Sequence, residues 1–196
     1  MKSVCIYCGS ADGIHPDYYA GAAKMGAHLA EKGIQLVYGA GKTGLMGAVA
    51  DGVLAAGGEV VGVVPENLNS PVLIHANLTR LEVVENIHQR KARMNALADA
   101  LIALPGGYGT FDELFEALTW AQIGIQRKPI GLLNIRGYFD PMVTMIQRAL
   151  EEKFIYPEHM ELLKIENTPE KLVQALENFK YPDNMERWVN REEPSP

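Results

Sequence analysis

The chain holds only two cysteines, no surplus of positive charge and no apolar run long enough to span a bilayer. Each shortage excludes something. Cys5 and Cys8 share a C-x-x-C spacing, but both lie in Val4-Cys5-Ile6-Tyr7-Cys8, a strand pattern in which residues three apart point to opposite faces. That hinders a disulfide or shared ligation, and no second pair exists to complete a zinc site. Both are read as buried apolar residues, the usual fate of a free cysteine. With 18 Lys and Arg against 24 Asp and Glu, the formal charge is −6. A broad electrostatic footprint for nucleic acid or for an anionic membrane is therefore not expected, while a local basic site for one phosphate is compatible with the total. Met1-Lys2-Ser3-Val4 enters a strand pattern almost at once, without the apolar core of a signal peptide. The expected address is the cytoplasm.

What is present is an alternation of short apolar runs with longer segments of helical period. The pattern predicts strands at 3–8, 34–38, 59–64, 79–84, 99–104 and 129–134, with a weak one at 162–165. It predicts helices at 17–32, 43–57, 87–97, 110–124, 138–152 and 169–179. Pro16 and Thr168-Pro169-Glu170 read as helix starts, Gly33 and Gly57-Gly58 as helix ends. Runs such as Val60 to Val64 and Ile130 to Leu133 lack polar alternation, as strands covered on both faces do. The expectation is a doubly wound, mainly parallel α/β sheet, Rossmann-like, with helices on both faces. Residues 1–180 read as one nucleotide-binding domain and 181–196 as a polar, loosely held tail that Trp188 would anchor. The long loop 65–78 reads as a lid or ligand contact.

In such sheets ligands collect beyond the carboxyl ends of the strands. Three glycine-bearing turns fall there: Gly9-Ser10, Gly39-Ala40-Gly41-Lys42-Thr43-Gly44, and the turn Gly106 to Thr110. Gly41-Lys42-Thr43 is not the end of a P-loop, because Leu36 stands where the motif needs its first glycine. Gly39, Gly41 and Gly44 do satisfy G-x-G-x-x-G, but after the second strand and without a well-placed ribose-binding acid. That turn reads as a phosphate or ribose cradle, with tight turn packing and a dinucleotide site as the alternatives. The third turn is the most informative. Pro105-Gly106-Gly107-Tyr108-Gly109-Thr110-Phe111-Asp112-Glu113 runs from a buried strand into a helix, whose first N–H groups and dipole favour an anion. Glu113 would sit beside whatever the turn holds. His88 to Met94 is a basic run whose plain reading is a solvated face; its functional reading puts the Arg90 fork on the ligand rim.

The nine residues from Pro105 to Glu113 resemble the P-G-G-x-G-T-x-x-E signature of the Lonely Guy family, the cytokinin riboside 5′-monophosphate phosphoribohydrolases, many formerly labelled lysine decarboxylases. The resemblance runs from Cys8-Gly9-Ser10 through Gly44-Leu45-Met46-Gly47, Arg90-Lys91 and Thr119-Trp120-Ala121-Gln122 to Gly131-Leu132-Leu133-Asn134. It implies hydrolysis of the N-glycosidic bond of a cytokinin riboside 5′-monophosphate, and of AMP, to free base and ribose 5-phosphate. It implies Arg90 and Glu113 as the catalytic pair. It also implies a substrate site of Gly9, Ser10, Gly41, Gly44, Met46, Arg90, Lys91, Gly106, Gly107, Tyr108, Gly109, Thr110, Glu113 and Thr119, no metal or other cofactor, and a homodimer. Ala40 stands where members commonly carry glycine, and Val72 where some carry an acidic contact, which bears on the base preferred. The alternative on the same fold is a non-catalytic nucleotide carrier or sensor. The older label would require a pyridoxal phosphate site with an activated lysine, for which Lys24, Lys42 and Lys91 have no suitable sequence setting.

Overall fold

The apolar runs pair into one seven-stranded parallel sheet. Its strands are β1 (Ser3–Tyr7), β2 (Gln35–Tyr38), β3 (Val60–Pro65), β4 (Arg80–Val84), β5 (Ala100–Ala103), β6 (Ile130–Leu133) and β7 (Leu163–Glu166), ordered β4-β3-β2-β1-β5-β6-β7. The computed structural model describes residues 1–185. β1, β3, β5 and β6 are buried throughout, whereas β4 and β7 at the edges are half exposed. β4 carries Arg80 and Glu82, charges that discourage pairing with another strand.

Helices α1 (Pro16–Glu31), α2 (Gly44–Ala55) and α7 (Pro169–Glu177) cover one face, with Met25, Leu29, Val49 and Leu172 against the sheet. Helices α3 (Ile87–Leu97), α4 (Tyr108–Gln122) and α5 (Asp140–Glu151) lie on the other, where Met94, Leu114 and Phe139 enter the core. Cys5 and Cys8 fall in opposite core layers, as their spacing predicts, and both are free and buried. Helix ends follow local chemistry. The Thr168 hydroxyl accepts from Lys171 N–H at 3.4 Å with Pro169 in the first turn of α7. α1 and α2 run out into Gly33 and Gly57 at positive φ.

The chain winds outward from β1 to β4, then returns to the middle to place β5 beside β1. The carboxyl ends of β1 and β5 therefore flank the point where the winding reverses, the place where such sheets open a crevice. Three elements escaped the sequence pattern. A one-turn helix α6 (Pro157–Met160) and 3-10 turns at 66–68 and 135–137 are too short to show a period. The loop 65–78 is strapped down: Gly41 and Ile74 form an antiparallel bridge, and Lys42 N–H donates to Leu73 O at 3.0 Å. Tyr181 donates its hydroxyl proton to Ala121 O at 2.6 Å and Met185 is buried. The proposed anchor Trp188 lies outside the described residues.

α1 and α2 approach so closely that a Cβ on Gly52 would stand 2.3 Å from Ala23 O. Gly52→Ala should therefore destabilise the protein by about 1–3 kcal/mol through overpacking, despite alanine's better helix propensity. Urea denaturation measures this, and an unchanged or higher midpoint would show that the helices part without cost.

Candidate functional site

β1 and β5 end side by side, and the chain leaves both through glycine. Gly9 N–H donates to Pro105 O at 3.0 Å, and Gly9 and Gly106 pack backbone to backbone with no room for a side chain between them. Beyond this seam opens a pocket of about 480 Å³, within the usual range for small-ligand sites. Its polar wall is Gly9, Ser10, Gly106 to Thr110, Arg90 and Glu113; its apolar wall includes Ile14, Tyr18, Met46 and Tyr138.

Two helices begin near this rim, and only one offers donors. At the start of α2 every amide is taken. Gly44 N–H donates to the Asp12 carboxylate at 3.0 Å, Leu45 and Met46 to Gly9 O, and Gly47 to Thr43 O. At the start of α4, Phe111 N–H returns to Gly107 O, but those of Tyr108, Gly109 and Thr110 meet no acceptor among the described residues, and Gly107 provides no side-chain cap. Unpaired first-turn amides at the positive end of the helix form an anion bed. The helix that follows the second glycine turn thus keeps no free amide; Gly39, Leu45 and Met46 line the pocket, while Gly41 and Gly44 lie outside its lining.

Gly39 explains part of that turn. Arg90 on α3 donates from Nε to Val63 O at 3.1 Å and from Nη2 to Gly39 O at 3.3 Å. A Cβ on Gly39 would fall 1.6 Å from Nη2. The glycine is the seat of the guanidinium. Two of its five N–H donors are tied to backbone, which fixes the fork while the remainder face the pocket. Ala40 next door adopts φ 64° and is buried.

Glu113 sits one helical turn past Gly109, about 6 Å along the axis. Its carboxyl has no hydrogen-bond partner among the described residues. Burial, the dominant cause, and the nearby Asp112 and Glu116 carboxylates push its pKa up to about 7 against the pull of Arg90 and Lys91. An acid poised there takes or gives a proton at neutral pH.

Gly9, Ser10, Met46, Arg90, Gly106, Gly107, Tyr108, Gly109, Thr110 and Glu113 converge on the pocket. Lys91 and Thr119 do not. Lys91 turns away to Asp112 and Glu116, and Thr119 lies farther along α4 on an outer apolar groove with Phe115, Leu118, Val143 and Ile146. Val72 is 72% exposed on the strap and lines no part of the pocket. The sequence reading missed Tyr18 and Tyr138. Tyr138 donates its hydroxyl proton to Gly106 O at 2.5 Å and its ring packs edge-on against Tyr18. Neither carries a local motif; only the return of the chain at 135–138 brings Tyr138 to the seam. Asp12, the cap of α2, was missed for the same reason. Lysine is absent from the described lining of the pocket, Lys24 pairs with Glu170 and Lys42 with Pro71 O, so the residues do not fit a pyridoxal Schiff base. Among the described residues no group of three His, Cys, Asp or Glu is placed to hold a metal, and no helix is long and apolar enough to cross a membrane.

Fold and site together define a doubly wound α/β protein with an anion bed and a proton-active carboxyl in its switch-point crevice. A sequence model of the family described as "possible lysine decarboxylase" matches residues 46–176. The cytokinin riboside 5′-monophosphate phosphoribohydrolase LOG7 of Arabidopsis thaliana is 44% identical over 179 residues, 91% of this chain and 82% of its own. The cytokinin riboside 5′-monophosphate phosphoribohydrolase LOG of Oryza sativa subsp. japonica is 43% identical over 91% of this chain and 74% of its own. The chain belongs to this Lonely Guy family. Solved structures share the fold alone: a molybdenum cofactor binding protein from Rippkaea orientalis (TM-score 0.69, 20% identity, covering 90% of this chain and 96% of that one) and the molybdenum cofactor carrier protein of Chlamydomonas reinhardtii (0.67, 19%, 90% and 96%).

Because the folded-state pKa of Glu113 stands above its value of about 4.3 in an unfolded chain, the folded state holds an extra proton between the two. Stability is then present at low pH and lost as pH rises from about 4.5 to 7. Glu113→Gln should gain about 2 kcal/mol at pH 8, after discounting for water in the pocket, and match the parent at pH 4. Chemical denaturation at both pH values reads this; equal stability at pH 8 would contradict the buried-acid assignment.

Proposed function

We propose that the protein is a cytokinin riboside 5′-monophosphate phosphoribohydrolase that also accepts AMP, releasing the free base and ribose 5-phosphate. The observation that carries this reading is the spacing of the unpaired Tyr108, Gly109 and Thr110 amides from the unpartnered Glu113 carboxyl, one turn apart on the same helix. It is supported by relatives 43–44% identical that bear this activity in their names.

The 5′-phosphate would rest on the α4 amides with Ser10 and Thr110 beside it, anchoring the sugar within reach of Glu113. The C1′–N bond breaks with its electron pair leaving on the base, and positive charge grows on the ribose. Ionised Glu113 stabilises that charge and accepts a proton as water adds at C1′; a proton ends on the departing base. Arg90 makes no hydrogen bond to Glu113 and keeps donors for the nucleotide, which favours ligand binding over orientation of the acid. Its permanent charge makes it a poor proton donor.

The unit is a homodimer in the cytoplasm. Supporting the dimer is the α4–α5 groove, where Phe115, Val143, Ile146 and Ile165 line an apolar surface that also carries Thr119. A second copy covering this face would bring Thr119 into an interface. Ile146→Asp should then yield monomers in sedimentation velocity, and a dimer of unchanged stability would place the interface elsewhere.

Incubation with AMP and with isopentenyl-AMP, followed by chromatography of free base, tests the activity. Glu113→Gln should lower turnover by about 10²–10⁴-fold, and Arg90→Ala should lower kcat/KM by roughly 10–100-fold, the worth of a charge-assisted contact. The parent kcat/KM should rise with pH to a plateau above about 7, beyond the phosphate's own pKa of about 6. Tight nucleotide binding with no base released would make the protein a carrier. Turnover by Glu113→Gln at the parent rate would remove the acid from the mechanism.

A further inference from the structure

Lys91 is the residue on which resemblance and geometry part. It follows Arg90 on α3, so the helix aims the two cations about 100° apart: Arg90 at the pocket, Lys91 at α4. Its side chain is 9% exposed, and its ammonium donates to Asp112 at 2.9 Å and Glu116 at 2.8 Å. Asp112 and Glu116 stand four residues apart on one face of α4, and Glu113 occupies the adjoining face between them. A buried ammonium persists only when paired, and this one is paired twice, across the first turns of the helix that bears the anion bed.

We propose that Lys91 is a positioning residue that clamps Asp112 and Glu116 and cancels their charge, so that Glu113 is the only uncompensated carboxyl at the start of α4. The inference rests on Glu113 as the reacting acid. The groups facing Glu113 are Arg90 and Lys91 from α3, Asp112 and Glu116 from α4, and Cys5, Tyr7 and Cys8 from β1 and its end. The β1 groups are pushed upward by burial and stay neutral at working pH. On top of burial, the balance at Glu113 is therefore tuned by two cations against two anions. Removing Lys91 alone would leave both carboxylates facing Glu113 with Arg90 as the one remaining cation, and would shift it further toward the protonated form, idle as a base, at neutral pH. A ligand contact through Lys91 would require the ammonium to abandon both partners.

The test reads the titration of Glu113 in the protein alone, by carboxyl NMR of glutamate-labelled protein, its resonance assigned by its loss in Glu113→Gln. Lys91→Met should raise the midpoint by about one pH unit. Asp112→Asn with Glu116→Gln should lower it below the parent, because an unopposed cation remains. The triple variant Lys91→Met, Asp112→Asn, Glu116→Gln should return to the parent midpoint or just below, since a net charge of −1 has been removed. Should Lys91→Met fail to fold, the other two variants retain the opposite-signed test. A midpoint unmoved in Lys91→Met, or raised equally in the triple variant, overturns the inference and leaves Lys91 a packing element. So does a nucleotide KM raised tenfold at pH 9 in Lys91→Met, which would put the ammonium on the ligand. Absence of base release by the parent sinks the proposed activity, while the ligand-free titration still decides the charge coupling.

Discussion

The site depends on one constraint: the first amides of α4 are held at the sheet's switch point with nothing of the protein's own to bind. Pairing of β1 with β5 brings Gly9 against Gly106, and Gly9 N–H fastens to Pro105 O. That seam fixes where α4 begins. A side chain at either glycine would part the strands' ends, and any residue able to cap α4 would fill the bed with its own oxygen. The neighbouring helix α2 shows the alternative outcome. Asp12, Gly9 O and Thr43 O satisfy its whole first turn, so an equally glycine-rich entry leaves no free amide at the start of its helix.

Electrostatics then divides labour among five charged side chains, two on α3 and three on the first turns of α4. Arg90 is held by backbone carbonyls rather than by a carboxylate, so its charge is still available to a ligand. Lys91 is spent on Asp112 and Glu116. Glu113 receives no partner and carries the cost as a raised proton affinity. A half-buried acid without hydrogen bonds is a poor choice for stability and a good one for proton transfer near neutrality, and the rest of the sheet's core supports that local loss.

The fold and the uncapped start of α4 were legible because their causes are local. Unbroken apolar runs announce covered parallel strands, Thr168-Pro169 announces a helix start, and three glycines before a helix announce exposed amides. Every strand and long helix emerged within a few residues of its expected bounds. The second glycine turn was left open between a cradle and tight packing because G-x-G-x-x-G records only where backbone approaches something closely. It does not say what approaches, which here is Arg90, Met46 and the residues after β1. Asp12, Tyr18 and Tyr138 were invisible because their roles arise from contacts 30 or more residues away in the chain. Lys91 and Thr119 came from resemblance, and neither lines the pocket: adjacent residues on α3 look in different directions, and Thr119 lies farther along α4.

The same scaffold, at 19–20% identity, appears in proteins described as binding or carrying molybdenum cofactor. Holding an anion at the switch point is within reach of the backbone alone, since it needs only a glycine seam and an uncapped helix. Cleaving a glycosidic bond needs more: an acid one turn beyond the bed, desolvated enough to exchange a proton near pH 7, and a cation that faces the ligand without neutralising that acid. Those demands fall on side chains, and they conflict, because the nearest partner for a buried carboxylate is a nearby guanidinium. Seating Arg90 on Gly39 and Val63 carbonyls resolves the conflict. In this chain the geometry that meets those demands is shared between the anchoring of α3 to β2 and β3, which holds Arg90, and the first turn of α4, which carries Glu113 behind the glycine loop.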